Sequence, residues 1–433
     1  MSLLVGQFLF GMDADPALVE KARGDMNTEQ QQPLPIFIAG GGIEGLAAAL
    51  ALSRAGFSVR LFERAREIKE IGAGVQIGPN AFHVFERLGI TDAVNAKVSM
   101  PSKLVMMDGI SGEKVVSIPL DGPFIERFRH PYALIHRSDL HRILLDVCLQ
   151  SPRIEVSTNV KVDGFTDEGG RVVLHTSGGD VYGRALIGAD GLWSTVRSQL
   201  VGDGAPRVSG HIAYRAVLPI NEVPEHLRSN TMTLWAGAKT HLVHYPLRGG
   251  ELFNLVAVFH SDSYVEGWDA EGDAEELHMR FRDAVPEVKA LLAKIDTWRM
   301  WVLCDRDPIK GWSKGNVTLL GDAAHPMLQY MAQGACMAME DAIVLADEMA
   351  AANGDQAAAF LRYEERRYLR TGKVQMSARL YGEFYHADGV KRELRNQFLQ
   401  SRSVEQTLDG MAWLYDVEPV LRTPNRATTP TTA

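Results

Sequence analysis

The most constraining feature of this chain is one run near its start, IFIAGGGIEGLAAALALSRAGFSVRLFERA, at residues 36–65. A short apolar strand leads into a glycine-rich turn, an Ala/Leu-rich helix ended by Gly56, and a second strand. Gly40, Gly42 and Gly45 fit the GxGxxG spacing, which permits a tight turn, close approach of a pyrophosphate, and packing of helix on strand. The run therefore predicts a βαβ unit that binds a dinucleotide.

Two acidic residues of this unit bear on the ligand. Glu63 ends the second strand, where an acid accepts hydrogen bonds from ribose hydroxyls. Glu44 is unusual, because a small residue is more typical at its position, and we expect its carboxylate to point away from the phosphates into solvent. Further along, SDLHRILLDVCLQ predicts a helix with Ser138 as its N-cap.

Length and composition exclude several classes of protein. A chain of 433 residues exceeds the usual size of one domain, so we expect two packed units. The net charge of −9 gives no support to nucleic-acid binding, which needs a clustered basic surface. No apolar run approaches the ~20 residues of a membrane span, so we expect none.

The cysteines indicate a reducing compartment. Cys148, Cys304 and Cys336 are far apart in the chain and lack the spacing of a zinc site. We therefore expect no disulfide and no metal, and a cytoplasmic location.

The predicted secondary structure changes in the middle of the chain. From about 207 to 260 the segments are β-rich, and HLVHYPL and LFNLVAVFH are joined by the tight turn RGGE. The α/β character returns with NVTLLGDAAH, and helices then fill most of 334–400. This order predicts an antiparallel sheet inserted into a discontinuous nucleotide-binding domain of α/β class.

Two further motifs distinguish between dinucleotides. The segments at 186–197 and 319–342 both end a strand with a Gly–Asp pairing before a helix. Asp322 is suited to accept hydrogen bonds from a polyol, and the helix that starts near Gly334 and Ala335 is suited to stabilise negative charge on a reduced isoalloxazine ring. A plain NAD-dependent dehydrogenase needs neither motif.

The three motifs in this order, over roughly residues 35–400, resemble the class A flavoprotein aromatic monooxygenases. The resemblance implies that FAD fills a Rossmann-type site, that NAD(P)H binds transiently, and that O₂ gives a flavin C4a-hydroperoxide which hydroxylates an aromatic ring. We expect NADH rather than NADPH as the reductant, because the sequence shows no basic cluster that would bind the 2′-phosphate of NADPH. A homodimer is expected from the family alone.

The predicted fold is α/β, with a discontinuous Rossmann-type FAD-binding domain, an inserted, mostly antiparallel substrate sheet, and C-terminal helices. The predicted boundaries are an N-terminal extension at 1–33, FAD-binding parts at 34–100, 134–206 and 300–370, substrate-domain parts at 101–133 and 207–299, C-terminal helices at 371–421, and a disordered tail at 422–433.

The resemblance also assigns cofactor-binding roles residue by residue. Glu63 holds the adenosine ribose with Arg64 beside it, and Val75 and Gln76 lie nearest the flavin ring. Arg137 reaches the FAD, although a surface ion pair with Asp139 is the alternative from the sequence. The acids of the second and third motifs are Asp190 and Asp322.

The predicted chemistry requires a base. A phenol ionises near pKa ~10, so the site must deprotonate or polarise the hydroxyl. On a strand, His241, Val243 and Tyr245 share one face, and a His–Tyr pair could pass the phenol proton to solvent, although a strand histidine is more often structural. Gln329 is placed to bind the same hydroxyl.

Two further side chains have less defined predicted roles. His325 is expected to brace the loop before Pro326 rather than to react. Arg215 is a candidate to bind a substrate carboxylate, with a structural role as the alternative.

Several segments, including HLVHYPLRGGELFNLVAVFH and the late YGEFYHADG, resemble the subgroup that converts 3-hydroxybenzoate to gentisate. Relatives acting on 6-hydroxynicotinate carry a Pro-His pair where this chain has Gln329-Tyr330, which favours a benzenoid substrate here. A salicylate hydroxylase, a 6-hydroxynicotinate monooxygenase and a non-hydroxylating FAD redox or sensor protein are the alternatives.

Overall fold

The computed structural model describes residues 34–67, 73–261, 268–417 and 421. The predicted N-terminal extension and the predicted disordered tail lie outside the described residues. The strands are β1 Ile36–Ala39, β2 Val59–Phe62, β3 Gly74–Ile77, β4 Lys103–Asp108, β5 Lys114–Pro119, β6 Ala133–His136, β7 Ile154–Ser157, β8 Val162–Asp167, β9 Val172–Thr176, β10 Gly179–Gly183, β11 Ala185–Gly188, β12 Arg207–Pro219, β13 Thr231–Gly237, β14 Thr240–Leu247, β15 Leu252–His260, β16 Trp268–Gly272, β17 Trp298–Asp305, β18 Ser313–Lys314 and β19 Val317–Leu319.

Helices follow or connect these strands. The α-helices are α1 Ile43–Arg54, α2 Pro79–Leu88, α3 Thr91–Asn95, α4 Gly122–Phe128, α5 Arg137–Gln150, α6 Thr195–Leu200, α7 Ala274–Arg280, α8 Pro286–Leu292, α9 Gly334–Ala350, α10 Gln356–Tyr385, α11 Gly389–Gln400 and α12 Val404–Tyr415. Short 3₁₀ helices span Ile220–Glu222, Glu225–Leu227, Arg248–Gly250, Gly321–Ala323 and Gln329–Met331.

A six-stranded sheet carries the glycine motif. Its strand order is β18-β19-β11-β1-β2-β7, and all pairs are parallel except β18 with β19. Every residue of β1 and β11 is buried, as expected for strands covered on both faces. Helices α1 and α9 pack against each other beside this sheet, so the loops that carry the motifs meet at its carboxyl edge.

An eight-stranded sheet forms the second part of the fold. Its order is β16-β17-β12-β15-β14-β13-β4-β5, and only β13 with β4 is parallel. The predicted, mostly antiparallel insertion is therefore confirmed. Strand β17 runs through the boundary predicted at residue 299.

The period of two in β14 decides which side chains face the site. Val243 and Tyr245 belong to one hydrophobic cluster, whereas Leu242 packs in another with Phe253. The predicted division of this strand into two faces is correct.

One predicted cap is wrong. Helix α5 begins at Arg137 and its N-cap is His136, not Ser138. The Ser138 hydroxyl instead forms a hydrogen bond of 2.6 Å with Nδ1 of His136, because it lies one residue inside the helix. Among the residues described, no helix combines the length and apolarity needed to cross a bilayer. No disulfide bond involves Cys148, Cys304 or Cys336 among the described residues.

Candidate active site and cofactor site

The glycine loop between β1 and α1 is closed by backbone contacts that only glycine permits. Gly40 has φ +112°, and a Cβ there would collide with the carbonyl oxygen of Ala189. A Cβ on Gly45 would collide with the carbonyl of Gly40. Gly42 is the N-cap of α1 and offers no side chain to the first turn, so the N-terminal N–H groups of the helix are left to a ligand.

The carboxylate of Glu63 holds this loop in place. Its Oε2 accepts a hydrogen bond of 2.8 Å from the Gly41 N–H, and its Oε1 accepts one of 2.8 Å from the Ala65 N–H. Arg64 is exposed beside it. The acid therefore lies at the carboxyl end of β2, beside the glycine loop, and each oxygen keeps a lone pair for a ribose hydroxyl.

The orientation predicted for Glu44 is wrong. Its Oε2 accepts a hydrogen bond of 2.9 Å from the Asp322 N–H, so the carboxylate points towards the third motif and not into solvent. Burial raises the pKa of Glu44 well above its ordinary value, and the negative charge of Asp322 adds to that shift. The side chain turns inward because it reaches an unpaired backbone N–H at a buried turn.

Two of the predicted cofactor acids have different surroundings. Asp190 caps a turn: its Oδ2 accepts hydrogen bonds from the backbone N–H groups of Thr195 and Val196, and its Oδ1 accepts one of 2.5 Å from Ser194. Burial raises the pKa of Asp322, whereas the charges of His325 and Arg137 oppose that shift.

Arg137 lies at the start of α5 and faces the cofactor side. Its charge lowers the pKa of Glu44 and of Asp322. Asp139, its alternative partner, forms two hydrogen bonds of 2.9 and 2.8 Å with Arg248.

A cavity of about 430 Å³ lies between the eight-stranded sheet, the third motif and the C-terminal helices. Its size suits one small aromatic molecule. The predicted site residues that line it are Val75, Gln76, Arg137, His241, Tyr245, Asp322, Gln329, Gly334 and Ala335. The structure therefore brings the three predicted catalytic side chains to the residues predicted to lie at the flavin ring, whereas the glycine loop and Glu63 lie at the strand ends of the six-stranded sheet.

Paired residues on three neighbouring strands of the eight-stranded sheet form the floor of the cavity. Val243 of β14 pairs with Val256 of β15, which pairs with Arg215 of β12. Paired residues point to the same face, so Arg215 shares the face of His241 and Tyr245, two strands away. At about 4.8 Å per strand, the backbones of Arg215 and Val243 are roughly 10 Å apart.

Burial sets the protonation of the two predicted catalytic residues on β14. Burial, together with the neighbouring His211 and His260, lowers the pKa of His241 to about 3, so the imidazole is neutral. Burial raises the pKa of Tyr245, so its hydroxyl keeps its proton. The ring of Tyr245 lies where a Cβ on Gly74 would be, which ties this glycine to the position of the tyrosine.

Arg215, the candidate to bind a substrate carboxylate, lines the cavity beside Gln329. Its Nη2 donates a hydrogen bond of 2.5 Å to Oε1 of Gln329, and its buried Nε has no hydrogen-bond partner in the part of the chain that the structure describes. The guanidinium carbon lies 5.2 Å from the ring centre of Trp301, and burial lowers the pKa of the side chain to about 10. A partly buried cation with an unused donor beside a cavity is suited to an anionic ligand.

His325 braces its loop, as predicted. Its Nε2 lies 2.5 Å from Oδ2 of Asp341, whose other oxygen accepts a hydrogen bond of 2.6 Å from Arg367. Sequence reasoning missed His386, whose Nε2 lies 2.7 Å from Nδ1 of His241. The chain separation of 145 residues hides this pair from any local pattern.

Residues 34–378 match the family model described as an FAD binding domain. The chain is 47% identical over 383 residues to a 3-hydroxybenzoate 6-hydroxylase of Polaromonas naphthalenivorans (strain CJ2), covering 88% of this chain and 96% of that one. It is 44% identical to 3-hydroxybenzoate 6-hydroxylase 1 of Aquipseudomonas alcaligenes, covering 89% and 98% of the two chains.

Solved structures agree with these sequence matches. A salicylate hydroxylase substrate complex matches with a TM-score of 0.77 at 26% identity, covering 92% of this chain and all of the other. Klebsiella pneumoniae HpxO complexed with FAD and uric acid matches with a TM-score of 0.79 at 26% identity, covering 90% and 97%. The chain therefore belongs to the FAD-binding domain family and is a class A, FAD-dependent aromatic-ring monooxygenase.

Proposed function

We propose that this protein hydroxylates 3-hydroxybenzoate to gentisate, consuming NAD(P)H and O₂. The observation that carries the proposal is the cavity in which His241, Tyr245 and Gln329 lie together with Arg215. A phenolic carboxylate needs a group for its hydroxyl and a cation for its carboxylate, and this cavity offers both. Relatives named 3-hydroxybenzoate 6-hydroxylase, at 47% and 44% identity, support the same substrate.

The residues at the glycine loop fit FAD. A Cβ at Gly40 or Gly45 would collide with a backbone carbonyl oxygen, so the loop requires glycine at both positions. The start of α1 offers N–H groups to a pyrophosphate. Helix α9 begins with Gly334 and Ala335 at the cavity, where its N-terminal dipole favours negative charge on a flavin ring. When bound there, FAD supplies the two-electron chemistry that activates O₂ with reducing equivalents from NAD(P)H.

Arg215 is proposed to bind the substrate carboxylate. Its buried Nε has no partner among the described residues, so a carboxylate would satisfy it and offset the cost of burying the guanidinium. The same contact fixes the ring across the floor of the cavity, towards the residues of β14.

The phenol hydroxyl is proposed to lie against β14. Nδ1 of His241 is engaged with His386, which leaves Nε2 to accept the phenol proton. Oε1 of Gln329 is engaged with Arg215, which leaves the Nε2 donors of the amide for the phenolate oxygen. Tyr245 keeps its proton and donates a second hydrogen bond, so the phenolate is stabilised while the electron-rich ring is attacked.

Steady-state kinetics with the FAD-loaded enzyme test this proposal. We expect 3-hydroxybenzoate to accelerate NADH consumption with formation of gentisate, and salicylate and 6-hydroxynicotinate to give lower kcat/KM. His241→Ala should lower hydroxylation by roughly 10²-fold or more with FAD retained, the range for loss of a general base. Peroxide as the only product, or unchanged turnover in His241→Ala, would contradict the substrate or the base, respectively.

A non-hydroxylating FAD sensor is the alternative of another class. Such a protein would keep the glycine loop but has no use for a buried arginine, histidine and tyrosine around one cavity. NADH consumption that does not respond to any phenolic benzoate would favour it.

We also propose a cytoplasmic location and a homodimer. Three cysteines that form no disulfide among the described residues support a reducing compartment. Exposed apolar side chains on α10 and α11, such as Leu369 and Phe398, support association. Cell fractionation and light scattering of the purified protein test the two statements.

A further inference from the structure

Four histidines meet behind the wall of the cavity. Nδ1 of His241 lies 2.7 Å from Nε2 of His386, and Nδ1 of His386 lies 2.8 Å from Nε2 of His260. His241 lines the cavity, and His386 caps the C-terminal end of α10. These two hydrogen bonds therefore connect the cavity, through the rings of His241 and His386, to His260 at the end of β15.

The far end of this chain of rings lies near the surface. His241 and His386 are 3% and 5% exposed, whereas His260 is only partly buried. The exposed residue Lys239 donates its backbone N–H to the carbonyl of His386 and accepts a hydrogen bond from the His260 N–H. The rings thus lie directly below the turn between β13 and β14.

His211 and Tyr330 close the cluster from the side. The His211 ring stacks on His260 with centroids 4.1 Å apart, and its Nδ1 lies 2.6 Å from the Tyr330 hydroxyl. Because burial raises the pKa of Tyr330, this hydroxyl is the donor and His211 carries its proton on Nε2. Tyr330 therefore orients the ring of His211, which lies beside the hydrogen-bonded histidines, and takes no part in the hydrogen bonds between His241, His386 and His260.

Burial keeps the rings of His241, His211 and His386 neutral. It lowers the pKa of His241 to about 3, that of His211 to about 4, and that of His386 well below its ordinary value, and the neighbouring histidines add to each shift. A proton taken from a phenol cannot rest on His241, because an imidazolium there is costly. A neutral ring with one N–H and one free nitrogen can pass a proton on as it receives one.

We propose that His386 and His260 carry the phenol proton from His241 to solvent. The proposal rests on the proposed role of His241 as the base. The phenol O–H breaks as Nε2–H of His241 forms; Nδ1–H of His241 breaks as Nε2–H of His386 forms; Nδ1–H of His386 breaks as Nε2–H of His260 forms. The Nδ1–H bond of His260 then breaks as the proton leaves towards solvent, so each ring remains neutral and only its tautomer changes.

The experiment measures the proton that FAD-loaded enzyme releases when it is mixed with 3-hydroxybenzoate, using a pH indicator in a stopped-flow instrument. His386→Ala and His260→Ala should slow this release at least roughly tenfold, and added imidazole should restore the rate in a saturable way. His244→Gln is the control, because His244 lies on the opposite face of β14 and its Nε2 accepts a hydrogen bond from Trp235 that a glutamine can accept.

The possible outcomes separate the two proposals. Release at the wild-type rate in His260→Ala and His386→Ala, with slow release in His241→Ala, would overturn the path and keep the base. Release at the wild-type rate in His241→Ala would overturn the proposed base. Slow release that imidazole does not restore in either variant would mean that the histidines are structural. If His386→Ala does not retain FAD, His260→Ala alone decides, because it removes a side chain at the partly buried end of the path.

Discussion

Arg215 and Gln329, 114 positions apart in the chain, are joined by a hydrogen bond of 2.5 Å from guanidinium Nη2 to amide Oε1. This contact fixes the amide so that its NH₂ group is free to donate. It also holds a cation on the face of the sheet that carries His241 and Tyr245. The residue proposed to bind the substrate carboxylate thereby sets the orientation of the residue proposed to bind the phenol.

Arg215→Ala should raise KM for 3-hydroxybenzoate more than it lowers kcat. Loss of a charge-assisted hydrogen bond costs about 1.5–3 kcal/mol, which corresponds to roughly 10- to 150-fold in KM. Steady-state kinetics check this. Arg299→Ala is the control, because Arg299 of β17 pairs with Arg215 across the sheet but is exposed. An equal loss for 3-hydroxybenzyl alcohol, which has no carboxylate, would contradict the proposed role.

Gly74→Ala should displace Tyr245, because a Cβ at this position would collide with the ring of the tyrosine. Overpacking typically costs about 1–3 kcal/mol, so we expect a lower melting temperature together with a lower kcat. Gly170→Ala is the matched control, since a Cβ there meets no atom within 4 Å. Wild-type melting and turnover in Gly74→Ala would show that the tyrosine is not held by this contact.

Glu44→Gln should stabilise the FAD-free protein increasingly as the pH rises. Burial and Asp322 raise the folded-state pKa of Glu44 above its ordinary value of 4.5. The folded state therefore favours the protonated form of Glu44. The wild type loses folding stability as the pH rises from 4.5 through the raised pKa, because the side chain must then ionise in a buried site. Glutamine does not titrate, so Glu44→Gln avoids this loss. Melting temperatures of both proteins from about pH 5 to about pH 8 test this. A difference that is the same at every pH would refute it.

Asp322→Ala should lose FAD. Asp322 lines the cavity beside Gly334, and its Oδ1 lies 3.7 Å from the place of a Cβ on that residue. We expect flavin absorbance to separate from the protein on gel filtration, whereas Asp163→Ala, which removes an exposed acid paired with Lys161, should retain it. Full flavin content in Asp322→Ala would exclude the role.

Local pattern was enough to predict the sheet that binds the cofactor. The run from Ile36 to Ala65 contains its own strand, turn, helix and strand, so the parallel pairing of β1 with β2 follows from a short segment. The two faces of β14 were likewise predictable, because side-chain direction alternates with a period of two.

Contacts between distant segments were not predictable in this way. Glu44 turns inward because an N–H from residue 322 lies within reach, and His386 meets His241 only when α10 packs on the sheet. The cap predicted at Ser138 is wrong because β6 ends at His136, which is itself the N-cap, so the helix starts two residues earlier than predicted. Each of these depends on the tertiary fold rather than on neighbours in the sequence.

The most direct test of the account is to identify the product formed from 3-hydroxybenzoate and NADH under ¹⁸O₂ by mass spectrometry. The account predicts gentisate that contains one ¹⁸O atom, in an amount equal to the NADH consumed. Another dihydroxybenzoate, unlabelled product, or peroxide without hydroxylation would contradict it.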